Sequence, residues 1–279
     1  AAYSAKFTNV TLNNQCALVN FIENRNTLKL LNRTVSLSFY AKTNSTEIAN
    51  LRAAVLSWSS TADVITSDVV SAWASDGTNP TWATNWTAEN SPSNLALTSS
   101  WQRFTVENFA IDTASTANIA VVIWVDDGTI TANDDFYITG VQLNDGSKVM
   151  PLAPEPFENE FLACMRYYEK SFGYGTAPTN LNDAGQGFWG VGVFITGISN
   201  SYGPAIYYKV RKRIAPTFTP YNITGGTAGT WKWYRQSDGT TADVAPAASQ
   251  TSDNSFSGQN SGVSYSTMII GGWTSDASL

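Results

Sequence analysis

Short apolar runs with a period of two, separated by clusters of turn-forming residues, are the feature that most restricts what this chain can fold into. In residues 34–40, Val35, Leu37 and Phe39 share one face of a predicted strand. Residues 118–125 (NIAVVIWV) are apolar on both faces, which predicts a strand in the middle of a sandwich rather than at its edge. Other strands of the first half are predicted at 51–58, 101–106 and 136–143. Short strands without helical periods between them indicate an antiparallel β-sandwich.

One stretch, residues 157–170, has a helical period, and it follows the Pro-rich segment 151–156. Its bulky side chains recur at helical spacing and form one apolar stripe, made of Phe157, Phe161, Met165 and Tyr168. Because an isolated helix of this length is only marginally stable in water, the stripe is expected to be buried against at least one β-domain.

The strand pattern resumes after the helix, at 188–198, 205–210, 216–221, 230–234 and 261–270. The sequence therefore predicts an all-β protein with three parts. These are a β-sandwich in 1–150, a Pro-rich linker with a short helix in 151–170, and a smaller C-terminal β-sandwich in 171–279.

The chain contains no histidine, which removes the kinds of site that depend on an imidazole. These are the Ser-His-Asp triad, the Cys-His nucleophile and histidine-ligated zinc. The two cysteines, Cys16 and Cys164, lie too far apart in sequence to form a Cys-cluster metal site. Two buried free thiols are the favoured interpretation, and one long-range disulfide is the alternative.

Charge and hydropathy exclude two kinds of partner. The chain carries 16 Lys and Arg against 22 Asp and Glu, a net charge of −6, whereas a nucleic-acid-binding protein needs a basic face. No apolar run reaches the ~18–20 residues that span a bilayer. Neither nucleic-acid binding nor membrane insertion is therefore expected.

Paired carboxylates remain as a source of chemistry, because hydrolysis of a glycosidic bond needs no histidine. No pattern in the sequence places a Glu or Asp in a groove. We therefore expect a binding protein without catalytic residues, and without a cofactor apart from the calcium ion considered below. Depolymerisation of a polysaccharide is the least favoured of the alternatives.

The junction between the two halves carries a recognisable order of motifs. Residues 140–147 (GVQLNDGS) are followed by 154–157 (PEPF) and 160–168 (EFLACMRYY). This order resembles a junction in bacteriophage tail-fibre and other virion receptor-binding proteins, where a carbohydrate-binding-module-like jelly roll ends in GVQLE-G and runs through PFE into CQRYY. Here Asn144 stands in place of the usual Glu, and Met165 in place of the usual Gln.

Segments on both sides extend the resemblance over most of the chain. Residues 39–42 (FYAK) and 101–105 (WQRFT) resemble two further strands of that jelly roll. Residues 208–221 (YKVRKRIAPTFTPY) resemble a segment of the tip domain of the same proteins. The ending, 273–279 (WTSDASL), is similar to their WTADAEL terminus.

The resemblance implies a fold, a location and partners. The fold is a carbohydrate-binding-module-like jelly roll followed by a tip domain, and the location is a tail or head fibre or spike of a virion. The implied partners are two further copies in a homotrimer, other virion proteins and host-surface polysaccharide, which the protein would recognise without chemistry. A purely architectural fibre or capsid-decoration module without a ligand of its own is the alternative.

The first candidate residues are three tryptophans in the segment 72–92, which is rich in Gly, Pro, Asn and Thr: Trp73, Trp82 and Trp86. Exposed indoles stack on the apolar faces of sugar rings, and neighbouring polar side chains bond to the hydroxyls. These residues form either such a sugar-binding surface or a local core over the long loop. The tryptophans in predicted strands are expected to be core residues: Trp58, Trp101 and Trp124.

Two acidic pairs are the second set of candidates: Asp126 with Asp127, and Asp134 with Asp135. Jelly rolls of this type often hold a structural calcium ion through loop oxygens, so the pairs are candidate ligands. Calcium takes about six to eight oxygens, however, and two sequential pairs do not supply that set. Aspartates that form turns are the favoured interpretation.

A basic cluster is the third candidate, at Lys209, Arg211, Lys212 and Arg213. Alternation places Lys209, Arg211 and Arg213 on one strand face. A solvated face is the favoured interpretation. Contact with an anionic surface glycan, or pairing across a subunit interface, is the alternative.

The C-terminal half is also rich in aromatic residues: Tyr174, Trp189, Tyr202, Tyr207, Trp231, Trp233 and Tyr234. A domain this small cannot bury all of them alone. Trimerisation would supply the missing burial, and a monomeric sandwich with surface aromatics is the alternative.

Overall fold

The structure is a computed structural model, and it divides into an N-terminal unit (Ala1–Ala153) and a C-terminal unit (Pro154–Ser278). It describes residues 4–9, 15–126, 130–153, 155–180, 189–193, 200–222, 224–235, 238–245, 247–249, 251–261 and 267–278. Among these residues no helix has the length and hydropathy needed to cross a membrane.

The N-terminal unit is built almost entirely from strands, as predicted. Its elements are β1 (Ala5–Thr8), β2 (Ala17–Ile22), α1 (Asn24–Thr27), β3 (Thr34–Thr43), β4 (Asn50–Trp58), β5 (Val70–Ala72), β6 (Thr81–Trp82), β7 (Trp86–Ala88), β8 (Leu95–Ala96), β9 (Gln102–Ala110), β10 (Asn118–Val125) and β11 (Asp135–Asp145). All of the strand pairs among them are antiparallel.

Two sheets of this unit pack face to face as a β-sandwich. The first sheet has the order β1-β11-β3-β9, and the second has the order β2-β10-β4-β7, with β8 beside β4. The alternation predicted on β3 is confirmed, because Val35, Leu37 and Phe39 are fully buried and pack with Val55 of β4 and Val121 of β10. Burial of apolar side chains from both sheets makes this interface the main core of the unit.

Strand β10 shows why its sequence is apolar on both faces. It lies between β2 and β4, and all eight of its residues are buried. Its odd-numbered apolar residues, such as Val121, face the core between the sheets. Trp124 and its even-numbered neighbours face a second apolar cluster on the outer side of the sheet. The predicted central position of this strand is therefore confirmed.

The C-terminal unit contains one helix and nine strands among the described residues. They are α2 (Phe157–Met165), β12 (Tyr168–Lys170), β13 (Trp189–Val193), β14 (Asn200–Tyr207), β15 (Thr217–Tyr221), β16 (Trp231–Arg235), β17 (Thr241–Val244), β18 (Ala247–Ser249), β19 (Ser255–Ser261) and β20 (Thr267–Asp276). Strand β20 pairs with β12, β13, β15 and β16, and β14, β19 and β18 form a separate sheet.

Side chains from both of these sheets meet in a small aromatic core. Trp231 of β16, Phe256 of β19 and Trp273 of β20 are buried there with Tyr208. The Trp231 indole lies directly on β20, where it donates a hydrogen bond from Nε1 to the carbonyl of Gly272 at 2.8 Å. A Cβ at Gly271 would collide with that indole, so this position of the strand requires glycine.

The helix is shorter than predicted and its stripe is not buried as a whole. α2 ends at Met165, and Tyr168 instead opens β12, which pairs with β20. Met165 is buried, but Phe157 is 57% exposed and Tyr168 is 40% exposed. The expectation of a fully buried stripe is therefore wrong, because the chain turns into a strand one turn before the stripe is complete.

Other differences from the predicted elements lie in the C-terminal unit. The strand expected at 205–210 begins earlier and ends at Tyr207. The strand expected at 261–270 is divided between β19 and β20.

Both cysteines are free thiols, but Cys164 is exposed on α2, so the expectation that both are buried is wrong.

Asp243 provides a test of pH dependence in the C-terminal unit. Its carboxylate accepts hydrogen bonds from the amide of Thr227 at 2.7 Å and from the Lys232 ammonium at 3.0 Å. These two bonds hold the pKa of Asp243 below its ordinary value of 3.8, and the bond from the Thr227 amide has the larger effect. The folded protein binds a proton at this carboxyl less tightly than the unfolded chain does. The stabilisation is therefore present above the ordinary pKa of 3.8 and is lost as the pH falls below it.

We expect Asp243→Asn to reduce the loss of thermal stability of the C-terminal unit between pH 5 and pH 3. The measurement is the melting temperature of both proteins across that range. Equal slopes in the two proteins would show that this carboxylate does not contribute to the acid sensitivity.

Candidate functional site

Two of the three loop tryptophans pack on the second sheet, Trp86 buried and Trp82 partly buried. The segment between β4 and β9 folds back over the outer side of the second sheet. We call this segment, residues 59–101, the covering segment. In it the Trp82 ring meets the Trp124 ring edge-on, with centroids 5.6 Å apart, and the Trp86 ring lies 5.0 Å from the Trp58 ring. Trp86 is only 6% exposed. These contacts take up the ring faces of Trp86 and leave no open surface for a sugar.

Trp73, the remaining loop tryptophan, is 40% exposed and lines an open groove of about 530 Å³. The outward-facing side chains of β2, Val19 and Phe21 among them, supply apolar lining, and Ile65 and Val69 of the loop contribute to it. The polar groups of the groove belong to Ser67 and Asp68. An indole beside an apolar surface with a hydroxyl and a carboxylate is a combination that suits a sugar ring.

The loop around Trp73 is held by contacts on both sides of that residue. Before it, β5 pairs with β6, and the Ser71 hydroxyl donates to the carbonyl of Thr81 at 3.1 Å. After it, the amide of Gly77 donates to the Asp126 carboxylate at 2.8 Å. The Trp73 indole is therefore carried by a loop with fixed ends.

Asp126 is a buried structural residue in this arrangement, with an exposure of 1%. Its carboxylate lies 3.5 Å from the Arg52 guanidinium, which also donates to the carbonyl of Pro92 at 2.6 Å. The residue thus joins β10 to two turns of the covering segment. Its candidate partner for calcium, Asp127, lies outside the described residues.

The second acidic pair also bonds to protein groups. Asp134 accepts hydrogen bonds from the Ser45 hydroxyl at 2.6 Å and from the amide of Thr131, which lower its pKa. Asp135 accepts from Lys6 at 2.8 Å and from the Thr8 hydroxyl at 2.6 Å, which likewise lower its pKa. Within the part of the chain that the structure describes, no three or more Cys, Asp or Glu side chains group as metal ligands.

The basic cluster does not form one face of a strand, because β14 ends before it. Arg211 is paired with Asp253 through Nε at 2.7 Å. Arg213 donates to the carbonyls of Ala277 at 3.0 Å and Ser278 at 2.9 Å. Lys209 is exposed, whereas the side chain of Lys212 is fully buried. The prediction that Lys209, Arg211 and Arg213 share one face of a strand is therefore wrong, and the two arginines bind groups of the C-terminal unit.

Trp101 corrects the prediction for the strand tryptophans. Trp58 and Trp124 are buried as expected, but Trp101 is 43% exposed at the start of β9. Phe104 packs against the core, while Thr105 is exposed. By the alternation of β9, Trp101 belongs with Thr105 on the outer face, so the phase of the pattern could have identified it as a surface residue.

The aromatic residues of the C-terminal half divide in the same way. Trp231 is 1% exposed, whereas Tyr174 is 71% exposed and Tyr207 is 68% exposed. Trp233 and Tyr234 are partly buried. The side chains of Trp189 and Tyr202 lie outside the described residues.

Comparison with known proteins finds no matching family model and no matching curated protein. Among solved structures, a CBM4 structure matches 47% of this chain at 14% identity, with a TM-score of 0.29, and this chain covers 61% of it. The tandem CBM22-1–CBM22-2 domain of Xyn10C from Paenibacillus barcinonensis matches 98% of this chain and 86% of its own length at 11% identity, with a TM-score of 0.29. The PBSX exported protein XepA matches 98% of this chain and 84% of its own length at 10% identity, with a TM-score of 0.22. This chain thus spans less than two thirds of the CBM4 chain.

Proposed function

We propose that this protein recognises glycans by non-catalytic binding, and that the groove at Trp73 holds the sugar. The observation that carries the proposal is the 40% exposure of the Trp73 indole beside an apolar surface, in a unit whose other two loop tryptophans pack on the second sheet. An exposed indole that no core contact requires is available to a ligand. The groove is open rather than enclosed by the chain, as suits one or two rings of a longer polysaccharide.

The chemistry of the groove supports a neutral or weakly polar sugar ring. The apolar face of a pyranose can lie on the Trp73 indole while its hydroxyls donate to the Asp68 carboxylate and bond to the Ser67 hydroxyl. Burial of the indole contributes roughly 1.5–3 kcal/mol, so binding at a single groove is weak.

The proposed setting is a fibre or spike of a virion, in which several copies act together. The support is the resemblance of the junction motifs at 140–147 and 160–168 to virion receptor-binding proteins. Exposed aromatic side chains of the C-terminal unit, Tyr174 and Phe157 among them, offer surface that a homotrimer would bury. Three grooves on one fibre would raise a weak affinity through avidity at the host surface.

A purely architectural module is the second candidate function, and one observation favours it. Trp82 and Trp86 pack on the second sheet, so most of the loop tryptophans serve the fold itself. In that case other virion proteins would be the only partners, and the exposed indole of Trp73 would have no ligand.

Trp73→Ala should weaken glycan binding at least about tenfold. A tenfold change corresponds to about 1.4 kcal/mol, which is within what the loss of a stacked indole removes. The measurement is a glycan-array screen with wild-type protein, followed by titration calorimetry of the best ligand with both proteins. Trp73→Phe should retain more of the affinity, because it keeps an aromatic face.

The matched control is Val64→Ala, an exposed apolar residue of the same covering segment that does not line the groove. It should bind like wild type. If no glycan binds at millimolar concentration, the architectural alternative is supported instead. Release of shorter saccharides from a host polysaccharide would contradict the non-catalytic part of the proposal.

A further inference from the structure

The register of the first sheet places four long side chains at one level across all four strands. Lys6 of β1 is paired with Tyr137 of β11, which is paired with Lys42 of β3. Gln102 of β9 is paired with Ala41, so the preceding residue, Trp101, lies beside Lys42. Directly paired side chains of an antiparallel sheet project from the same face. Because Phe136 and Ile138 point into the core, this row lies on the outer face.

The ring contacts within this row are direct. The Lys42 ammonium lies 5.6 Å from the centre of the Trp101 ring and 4.9 Å from the centre of the Tyr137 ring. The two rings meet edge-to-face with centroids 6.5 Å apart. Asn44 donates to the Tyr137 hydroxyl at 3.2 Å and so fixes that ring. The lysine is thereby held in one place by two cation–π contacts.

Lys42 differs from its neighbour Lys6 in its counter-charge. Lys6 is neutralised by Asp135 at 2.8 Å. Across the residues that the structure describes, no carboxylate lies within ion-pair distance of Lys42. Arg103, two residues beyond Trp101 on the same face, donates to the Ser38 hydroxyl and to the carbonyl of Met150, and the Glu107 carboxylate interacts with its charge. Among the described residues, Lys42 is therefore the cation of this row that has no paired acid, in a chain whose net charge is −6.

We infer that this row is a second binding site, specific for an acidic saccharide. A sugar ring would stack on the exposed part of the Trp101 indole, and its carboxylate would accept a hydrogen bond from the Lys42 ammonium. The attraction is strong for its size because the ammonium is partly buried between rings, where water screens its charge less than on an open surface. The site lies on the sheet opposite to the Trp73 groove and goes beyond the proposed function, since it requires a charged ligand and uses none of the groove residues.

The test compares two ligands with the same rings and different charge. Trigalacturonic acid and its fully methyl-esterified form are titrated against wild-type protein at 20 mM and 200 mM NaCl. We expect the acid to bind at least about tenfold more tightly than the ester at low salt, and this advantage to shrink at high salt because the contact is electrostatic. This comparison needs no variant, so it stands even if a variant fails to fold.

Variants assign the binding to the row. Lys42→Met should remove the preference for the acid and leave the affinity for the ester unchanged, whereas Trp101→Ala should weaken both ligands. Lys29→Met, which removes an exposed lysine of the loop after α1, is the matched control and should bind like wild type.

Two results would overturn the inference. One is equal affinity for the acid and the ester in wild-type protein, including the case in which neither binds at millimolar concentration. The other is binding of the acid that survives both Lys42→Met and Trp101→Ala, which would place the anion elsewhere on the surface. Failure of the Trp73 groove to bind any sugar would not bear on this site.

Discussion

Lys212→Met is expected to destabilise the C-terminal unit by about 3–5 kcal/mol, the cost of breaking a buried ion pair by removing one partner. The Lys212 side chain is fully buried, and its ammonium donates to the carboxylate of Glu169, which is 4% exposed, at 2.7 Å. The same ammonium donates to the carbonyl of Met165 at the end of α2 and lies 4.8 Å from the centre of the Tyr208 ring. Methionine fills the space but leaves the Glu169 charge uncompensated.

The direct measurement is hydrogen exchange of the backbone amides in β12 and β20, which reports on the C-terminal unit alone. Lys209→Met is the matched control, because its side chain is exposed on the same segment. Substitutions of that kind usually change the free energy of unfolding by no more than about 0.5 kcal/mol. The double variant Lys212→Met with Glu169→Gln should recover most of the lost stability, since it removes both charges. If the double variant is as unstable as the single one, the carboxylate is not the source of the penalty.

Trp58→Ala is expected to cost the N-terminal unit about 3–5 kcal/mol, as large-to-small changes of core aromatics do. Trp58 is fully buried, packs against Trp86, and donates from Nε1 to the carbonyl of Thr61 at 3.1 Å. It therefore supports the covering segment as well as the sheet. The loss should appear in urea unfolding and as faster proteolysis within residues 59–97.

Trp101→Ala removes the same side chain from a position that is 43% exposed and serves as the control for Trp58→Ala. It should lower stability far less and leave the proteolysis of residues 59–97 unchanged. Similar losses in the two variants would mean that the second apolar cluster is not a true core.

The position of a strand was predictable from the sequence where the polarity of each face matches the environment of that face. On β10 every residue is apolar and every residue is buried, so the pattern and the environment agree. On β9 the pattern was informative, because Trp101 alternates with residues that point to the core. The expectation that Trp101 is a core residue did not take this alternation into account.

The candidate sites depend on contacts between distant parts of the chain, and those contacts leave no local pattern. Lys212 is separated from Glu169 by 43 positions, and nothing near either residue distinguishes a buried lysine from a solvated one. Trp73 and Trp86 lie in one loop of similar composition, yet one is exposed and the other is buried. Trp86 lies on the sheet because β7, which contains it, pairs with β4, a strand that is distant in sequence.

The position of β20 has a consequence for the order in which the protein can fold during synthesis. The first sheet of the N-terminal unit is complete when β11 pairs with β1 and β3. All of its strands are therefore present once residue 145 has emerged from the ribosome. In the C-terminal unit β12, β13, β15 and β16 all pair with β20, which is made after every one of them. The contacts that these strands make with β20 cannot form until residues 267–276 have been synthesised. Pairing at such sequence separation is slow, and the interval exposes apolar surface that favours association between growing chains.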